Sequence, residues 1–150
     1  MTTVSEIMTT NVRSMSPSDT VLLAAQAMDE LNVGVIPVCE GDTLVGMVTD
    51  RDIVVRGIAQ GLDAKSTKLA DVMSASVRTV TEDDDVDEVL DEMADAQIRR
   101  MPVVDENGRL IGIVSLGDVA VKTGDEDVTA ALGDISEPAE PDRSRAGARS

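Results

Sequence analysis

Apolar residues along this chain fall into two patterns, and both patterns occur twice. In VDEVLDEMADA, Val86, Val89, Leu90 and Met93 recur at i, i+3, i+4 and i+7 among acidic positions, which is one stripe of an amphipathic helix. Asp83, Asp84 and Asp85 precede it, where carboxylates favour the positive end of the helix dipole. RMPVVDENGRLIGIVS follows, two runs rich in Val and Ile on either side of DENG, the mark of a strand–turn–strand hairpin. Earlier in the chain, VIPVCEGDTLVGMVT repeats this arrangement. Runs so nearly continuous in apolar residues predict strands buried on both faces under helices. Each copy therefore reads as a short strand, a helix, two strands and a second helix, an α/β unit.

The copies align residue by residue. Met8 matches Met73, Val12 matches Val77, Met28 matches Met93 and Pro37 matches Pro102, all at an offset of 65. One extra residue in the second turn then shifts the offset to 66, which pairs Gly46 with Gly112 and Asp52 with Asp118. We expect a first repeat at 4–60, a linker at 61–68, a second repeat at 69–122 and an acidic, mostly disordered tail at 123–150, where large apolar residues become scarce. A unit of this size is small to stand alone, so the two repeats are expected to pack together.

Composition narrows the function. With 13 Lys+Arg against 29 Asp+Glu the formal net charge is −16, so the basic surface that tracks phosphate backbones is missing, and neither nucleic acid nor an anionic membrane is an expected partner. No apolar run reaches the roughly 18 to 20 residues of a membrane span, and MTTVSEIMTT has no signal-peptide pattern, so the expected location is cytoplasmic. A single cysteine, Cys39, fits a reducing compartment and reads as a small core hydrophobe. The absence of histidine removes the usual general base and the commonest metal ligand. No Phe, Tyr or Trp is present either, so the core is built from aliphatic residues and the eight methionines. The acidic run from Glu82 to Asp95 reads as a solvated helix face, with loose Mg²⁺ binding as the alternative. GDTLVGMV has two glycines but lacks the lysine and hydroxyl of a phosphate loop, and no GxSxG, GxGxxG or CxxC occurs. We expect no enzyme and no metal site.

The remaining chemistry is a pair of matched stretches, GMVTDRDIV at 46–54 and GIVSLGDVA at 112–120. Each puts a hydroxyl and, three residues on, a carboxylate at a strand-to-helix turn. One reading is a capping box, in which Thr49 or Ser115 caps the first free amides and Asp52 or Asp118 reaches back. The other is an anion and sugar site, because free amides and the dipole attract phosphate while an aspartate accepts bonds from a vicinal diol. The residues alone leave both open. Arg51 stands in the first turn, where a cation opposes the dipole unless an anion is near, and Asp50 and Asp52 flank it.

The duplicated unit, with VIPV and MPVV followed by GMVTDRD and GIVSLGD, resembles the cystathionine-β-synthase (CBS) domain over roughly residues 4 to 120. The TDRDIVVRGIAQGLD run is similar to that of small stand-alone bacterial CBS proteins of the hypoxic or stress-response type. The resemblance implies a pseudo-twofold CBS pair, a homodimer, and a regulatory module that binds an adenosyl ligand such as AMP, ADP, ATP, NAD or S-adenosylmethionine. It places ligand contacts on Thr49 and Asp52 in the first copy and on Ser115 and Asp118 in the second, and the dipole argument adds Arg51 as a candidate contact. Arg99 and Arg100, just before the strand proline, are the implied phosphate contacts, with Val12, Ile36, Val77 and Met101 against the adenine. The first copy has Gly34 and Val35 where the second has the two arginines, so the copies are expected to be unequal. The alternative is a ligand-free, stress-induced dimeric interaction protein that acts through its surfaces or an unidentified protein partner.

Overall fold

The computed structural model describes residues 1–123. Residues 124–150, which hold nearly all of the expected tail, lie outside the described residues. The elements follow in the order α1 (Val21–Leu31), β1 (Val35–Glu40), β2 (Thr43–Thr49), α2 (Asp50–Asp52), α3 (Val86–Ala96), β3 (Arg100–Val104), β4 (Leu110–Ser115) and α4 (Leu116–Thr123). The chain after α2 continues as a π-helix over Ile53–Gly57 and a 3-10 turn over Ile58–Gln60. Two compact units result, one of residues 11–79 with 104–111, the other of residues 1–10 and 80–103 with 112–123.

In the first unit, Thr20 caps α1 by accepting the Leu23 N–H, and Asn32 ends it in the left-handed conformation. The buried face is Val21, Ala24, Ala27 and Met28. β1 and β2 pair antiparallel from Val35 opposite Thr49 to Val38 opposite Gly46, with an irregularity between Val38 and Cys39. Ile36 to Cys39 are buried in succession, which is why VIPVC shows no polar alternation. The core of this unit joins α1, both strands and Ile53, and it is completed by Leu69 and Val72.

Those last two residues come from the sequence that opens the second repeat. Backbone bonds hold that segment in place: the Leu69 N–H donates to the Asp19 carbonyl (2.9 Å), and Met47 and Ser74 exchange bonds in both directions (3.0 and 2.9 Å). The second unit is built in the same way from the chain's beginning. Val4 donates to the Asp84 carbonyl (3.0 Å), Thr9 and Ile113 exchange bonds (2.8 and 3.0 Å), and Val4 and Ile7 are buried. The repeat in the sequence is thus not the unit in space, because each repeat's opening segment completes the unit carrying the other repeat's hairpin.

The stripe on α3 behaves as its period requires: Val86, Val89, Leu90 and Met93 are all buried. The acidic triplet ahead of it does more than face a dipole. Asp84 accepts the Thr81 N–H (2.9 Å), and Asp85 is the N-cap, accepting the Asp87 N–H (3.1 Å). β3 and β4 form a second two-stranded sheet, turning at Gly108 with φ of 81°.

The expected short opening strands take a different form. Each opening segment starts with a single 3-10 turn, Val4–Glu6 or Leu69–Asp71, and later makes isolated bridges, Met15 to Val38 and Val80 to Val103. Polar neighbours surround both bridging residues, RSMSPS around Met15 and RTVTED around Val80, so no apolar alternation extends the ladder.

Candidate functional site

The two hydroxyl–carboxylate pairs occupy matching places. In each unit the residue after the hydroxyl donates its N–H to the carbonyl at the entry of the neighbouring strand: Asp50 to Gly34 (2.9 Å) and Leu116 to Arg99 (2.8 Å). This bond brings strand entry and helix start together, so Arg99, Arg100 and Met101 share a unit and a sheet end with Ser115 and Asp118. Thr49, Arg51, Asp52 and Ile36 gather likewise in the first unit, to which Val12 and Val77 also belong. Ile36 and Met101 are fully buried, Val12 and Val77 half-buried, and Arg51, Arg99 and Arg100 exposed.

The first copy makes the complete capping box. The Asp52 N–H donates to Thr49 Oγ1 and the Thr49 N–H to Asp52 Oδ2, both at 3.0 Å. Asp52 is engaged on its other oxygen as well, since Oδ1 lies 3.8 Å from Nε of Arg56, and its side chain is only 14% exposed. The second copy makes half a box. The Asp118 N–H donates to Ser115 Oγ (3.0 Å), and among the described residues no bond returns from the Asp118 carboxylate to the Ser115 N–H.

A second asymmetry concerns charge. A β-carbon on Gly34 would stand 3.1 Å from Oδ2 of Asp50, so a carboxylate lies directly over the strand entry of the first copy. Asp50 is held there by the Arg51 N–H, which donates to its Oδ1 (2.8 Å). At the matching positions the second copy has Arg99 and Leu116, a cation and an apolar residue. At the strand entry, Coulomb attraction for a phosphate is therefore opposed in the first copy and assisted in the second.

One residue that shapes the first site was not singled out by sequence: Arg56, although it follows Asp52 by four positions at helical spacing. Gly34 and Asp50 were each noted, but their approach was not legible, because they meet only through the fold. Among the described residues no group of three His, Cys, Asp or Glu side chains is placed to hold a metal, and no helix is long and apolar enough to cross a membrane. Cys39 is buried beside Ser14, and burial pushes its thiol pKa up.

The CBS domain family model matches residues 4–57 and again 69–122. The CBS domain-containing protein YhcV of Bacillus subtilis is 44% identical over 137 residues, covering 91% of this chain and 96% of that protein. Hypoxic response protein 1 of Mycobacterium tuberculosis is 40% identical over 121 residues, 80% of this chain and 84% of that one. Among solved structures, Hypoxic Response Protein I with two coordinated zinc ions superposes at a TM-score of 0.74 with 39% identity, covering 81% of this chain and 98% of that chain. The CBS domain pair of MJ0100 in complex with methylthioadenosine and S-adenosylmethionine gives 0.72 at 29% identity, covering 83% and 97%. CBSX2 in complex with AMP gives 0.71 at 31%, covering 88% and 97%. Two matched repeats, the shared α/β fold and this similarity over most of the chain make the protein a member of the CBS domain family, with two CBS repeats forming a CBS pair.

Proposed function

We propose that this CBS pair is a non-catalytic regulatory module that binds an adenosyl ligand, and that the second repeat carries the competent site. The observation that supports this most is the state of the two aspartates. Asp52 is committed to the Thr49 N–H and to Arg56, whereas the Asp118 carboxylate makes no return bond to its cap. A carboxylate left out of the box is able to accept both hydroxyls of a ribose, and the positive dipole end of α4 suits the attached phosphate. Arg99 and Arg100 at the start of β3 put positive charge where the first copy has Gly34 and Val35. Related CBS pairs solved with AMP or with S-adenosylmethionine support the same ligand class.

In this reading Ser115 and Asp118 hold phosphate and ribose, Arg99 and Arg100 the phosphate, and Met101, whose side chain is fully buried, meets the base through its main chain. The module works as a homodimer in the cytoplasm and passes ligand occupancy to a partner, as befits a relative of hypoxic response protein 1. A ligand shifts such an equilibrium only by its differential affinity for two states.

The test is a calorimetric and thermal-shift panel of AMP, ADP, ATP, NAD and S-adenosylmethionine, with and without Mg²⁺. A true ligand at 100 times Kd stabilises by about 2.7 kcal/mol. Asp118→Ala should weaken that hit more than Asp52→Ala. Silence across the panel would leave the second reading, a ligand-free dimer acting through its surfaces. That reading is favoured by the exposed apolar side chains of Val54 (57%), Ile58 (55%), Val55 (43%) and Leu62 (40%), which follow the first capping box.

A further inference from the structure

We infer that Arg56 is a specificity-determining residue that closes the first site against ligand, so that one adenosyl molecule binds per chain rather than two. The inference rests on the reading of the second site given above and extends it to the cause of the asymmetry.

Arg56 lies on the π-helical segment Ile53–Gly57, and its half-exposed guanidinium has one hydrogen-bond acceptor and one ion-pair partner. Nε faces Asp52 Oδ1 at 3.8 Å, and Nη1 donates to the Met73 carbonyl at 3.2 Å. Met73 belongs to the opening segment of the second repeat, which is itself anchored through Ser74 on Met47. The planar fork thus joins the site's carboxylate to a fixed main-chain acceptor, which a compact ammonium is less suited to do. The sequence position matching Arg56 at the offset of 66 is Lys122.

Asp52 is consequently enclosed. One oxygen accepts the Thr49 N–H, the other faces the guanidinium, and the side chain is 14% exposed. A ribose diol that approached it would have to displace the Arg56 guanidinium from its ion pair with Asp52, against the hydrogen bond that holds it on the Met73 carbonyl. Any phosphate would also meet the Asp50 carboxylate over Gly34. The first site is self-occupied, with an internal cation on the carboxylate that the proposed ligand would use.

The experiment is isothermal titration with AMP, and separately with S-adenosylmethionine, of four proteins: wild type, Arg56→Met, Asp118→Ala and the double variant. Methionine keeps an apolar stem and deletes the charge and the donors. The expected stoichiometries are one, two, none and one ligand per chain. A gained site cannot come from unfolding, so the result is secure against a merely destabilised variant. Wild type binding two ligands overturns the inference. So does a single site in Arg56→Met together with a silent double variant, and the second-site reading then survives intact. If neither compound binds any of the four proteins, that reading falls and the inference falls with it.

Discussion

Gly46 runs so close to the main chain of Ser74 that a β-carbon on it would stand 2.7 Å from the Ser74 carbonyl oxygen. The second copy repeats the relationship between Gly112 and the Thr9 carbonyl at 2.8 Å, with Met73 and Met8 packed over the two glycines. The glycine of GMV and GIV is there to let the other repeat's opening segment cross, because the obstacle is backbone that cannot rotate away.

Gly46→Ala and Gly112→Ala are each expected to destabilise by about 2 kcal/mol or more, as overpacking against a fixed main chain does. Gly117→Ala is the control, since its β-carbon would sit 3.8 Å from Ser115 Oγ in ordinary contact at an exposed position of α4. There alanine should be neutral or stabilising by up to about 1 kcal/mol. Chemical denaturation of the three variants checks the contrast, and equal losses at all three positions would defeat the crossing argument.

The two aspartates should trade places between stability and binding. Asp52→Ala breaks a complete box and a contact with Arg56, so it is expected to cost about 1 kcal/mol of stability. Asp118→Ala removes no return bond and should cost distinctly less stability while losing more ligand affinity. Thermal melts without ligand beside titrations with it decide the matter. Parallel losses in both assays would mean that the carboxylates share one role.

The legible parts were those set by local periodicity. The stripe Val86, Val89, Leu90 and Met93 announces a helix because its spacing is the helix's own, and Thr49 with Asp52 offers a cap because the box spans only four residues. The identity of the segment against Gly46 was not legible. It lies 28 positions away at Ser74, and loop closure leaves no local trace. The same holds for Asp50 over Gly34 and for Arg56 on the Met73 carbonyl, each set by the fold after the strands have paired. The turn from α into π-helix at Ile53 is equally silent in the sequence.

Segment exchange makes a spatially crossed prediction. Ile7 is 3% exposed and belongs with α3, while Leu69 is fully buried and belongs with α1. Either residue changed to Ala should cost about 2 to 5 kcal/mol. Hydrogen exchange should then rise in α3 for Ile7→Ala, although residue 7 lies in the first repeat, and in α1 for Leu69→Ala. Exchange that rises instead in the variant's own repeat would contradict the two units as drawn.

Cys39 supplies the last test. It is 4% exposed, and burial raises its thiol pKa above the ordinary 9.0, an effect only partly offset by the hydrogen bond with Ser14. A raised pKa keeps the thiol protonated in the folded chain, so the native protein at pH 8 should react slowly with a thiol reagent, at a rate that tracks unfolding. The sign for stability follows from the same shift. The unfolded thiol ionises first as pH rises, so this contribution is present below the unfolded pKa and is lost as pH climbs through the folded one. Cys39→Ala should flatten that alkaline decline, at the cost of a small cavity at neutral pH. Denaturation midpoints of wild type and Cys39→Ala at pH 7 and pH 10 separate the two effects: the gap between the proteins should narrow at the higher pH, and a gap that widens would show that the thiol is not held neutral by burial.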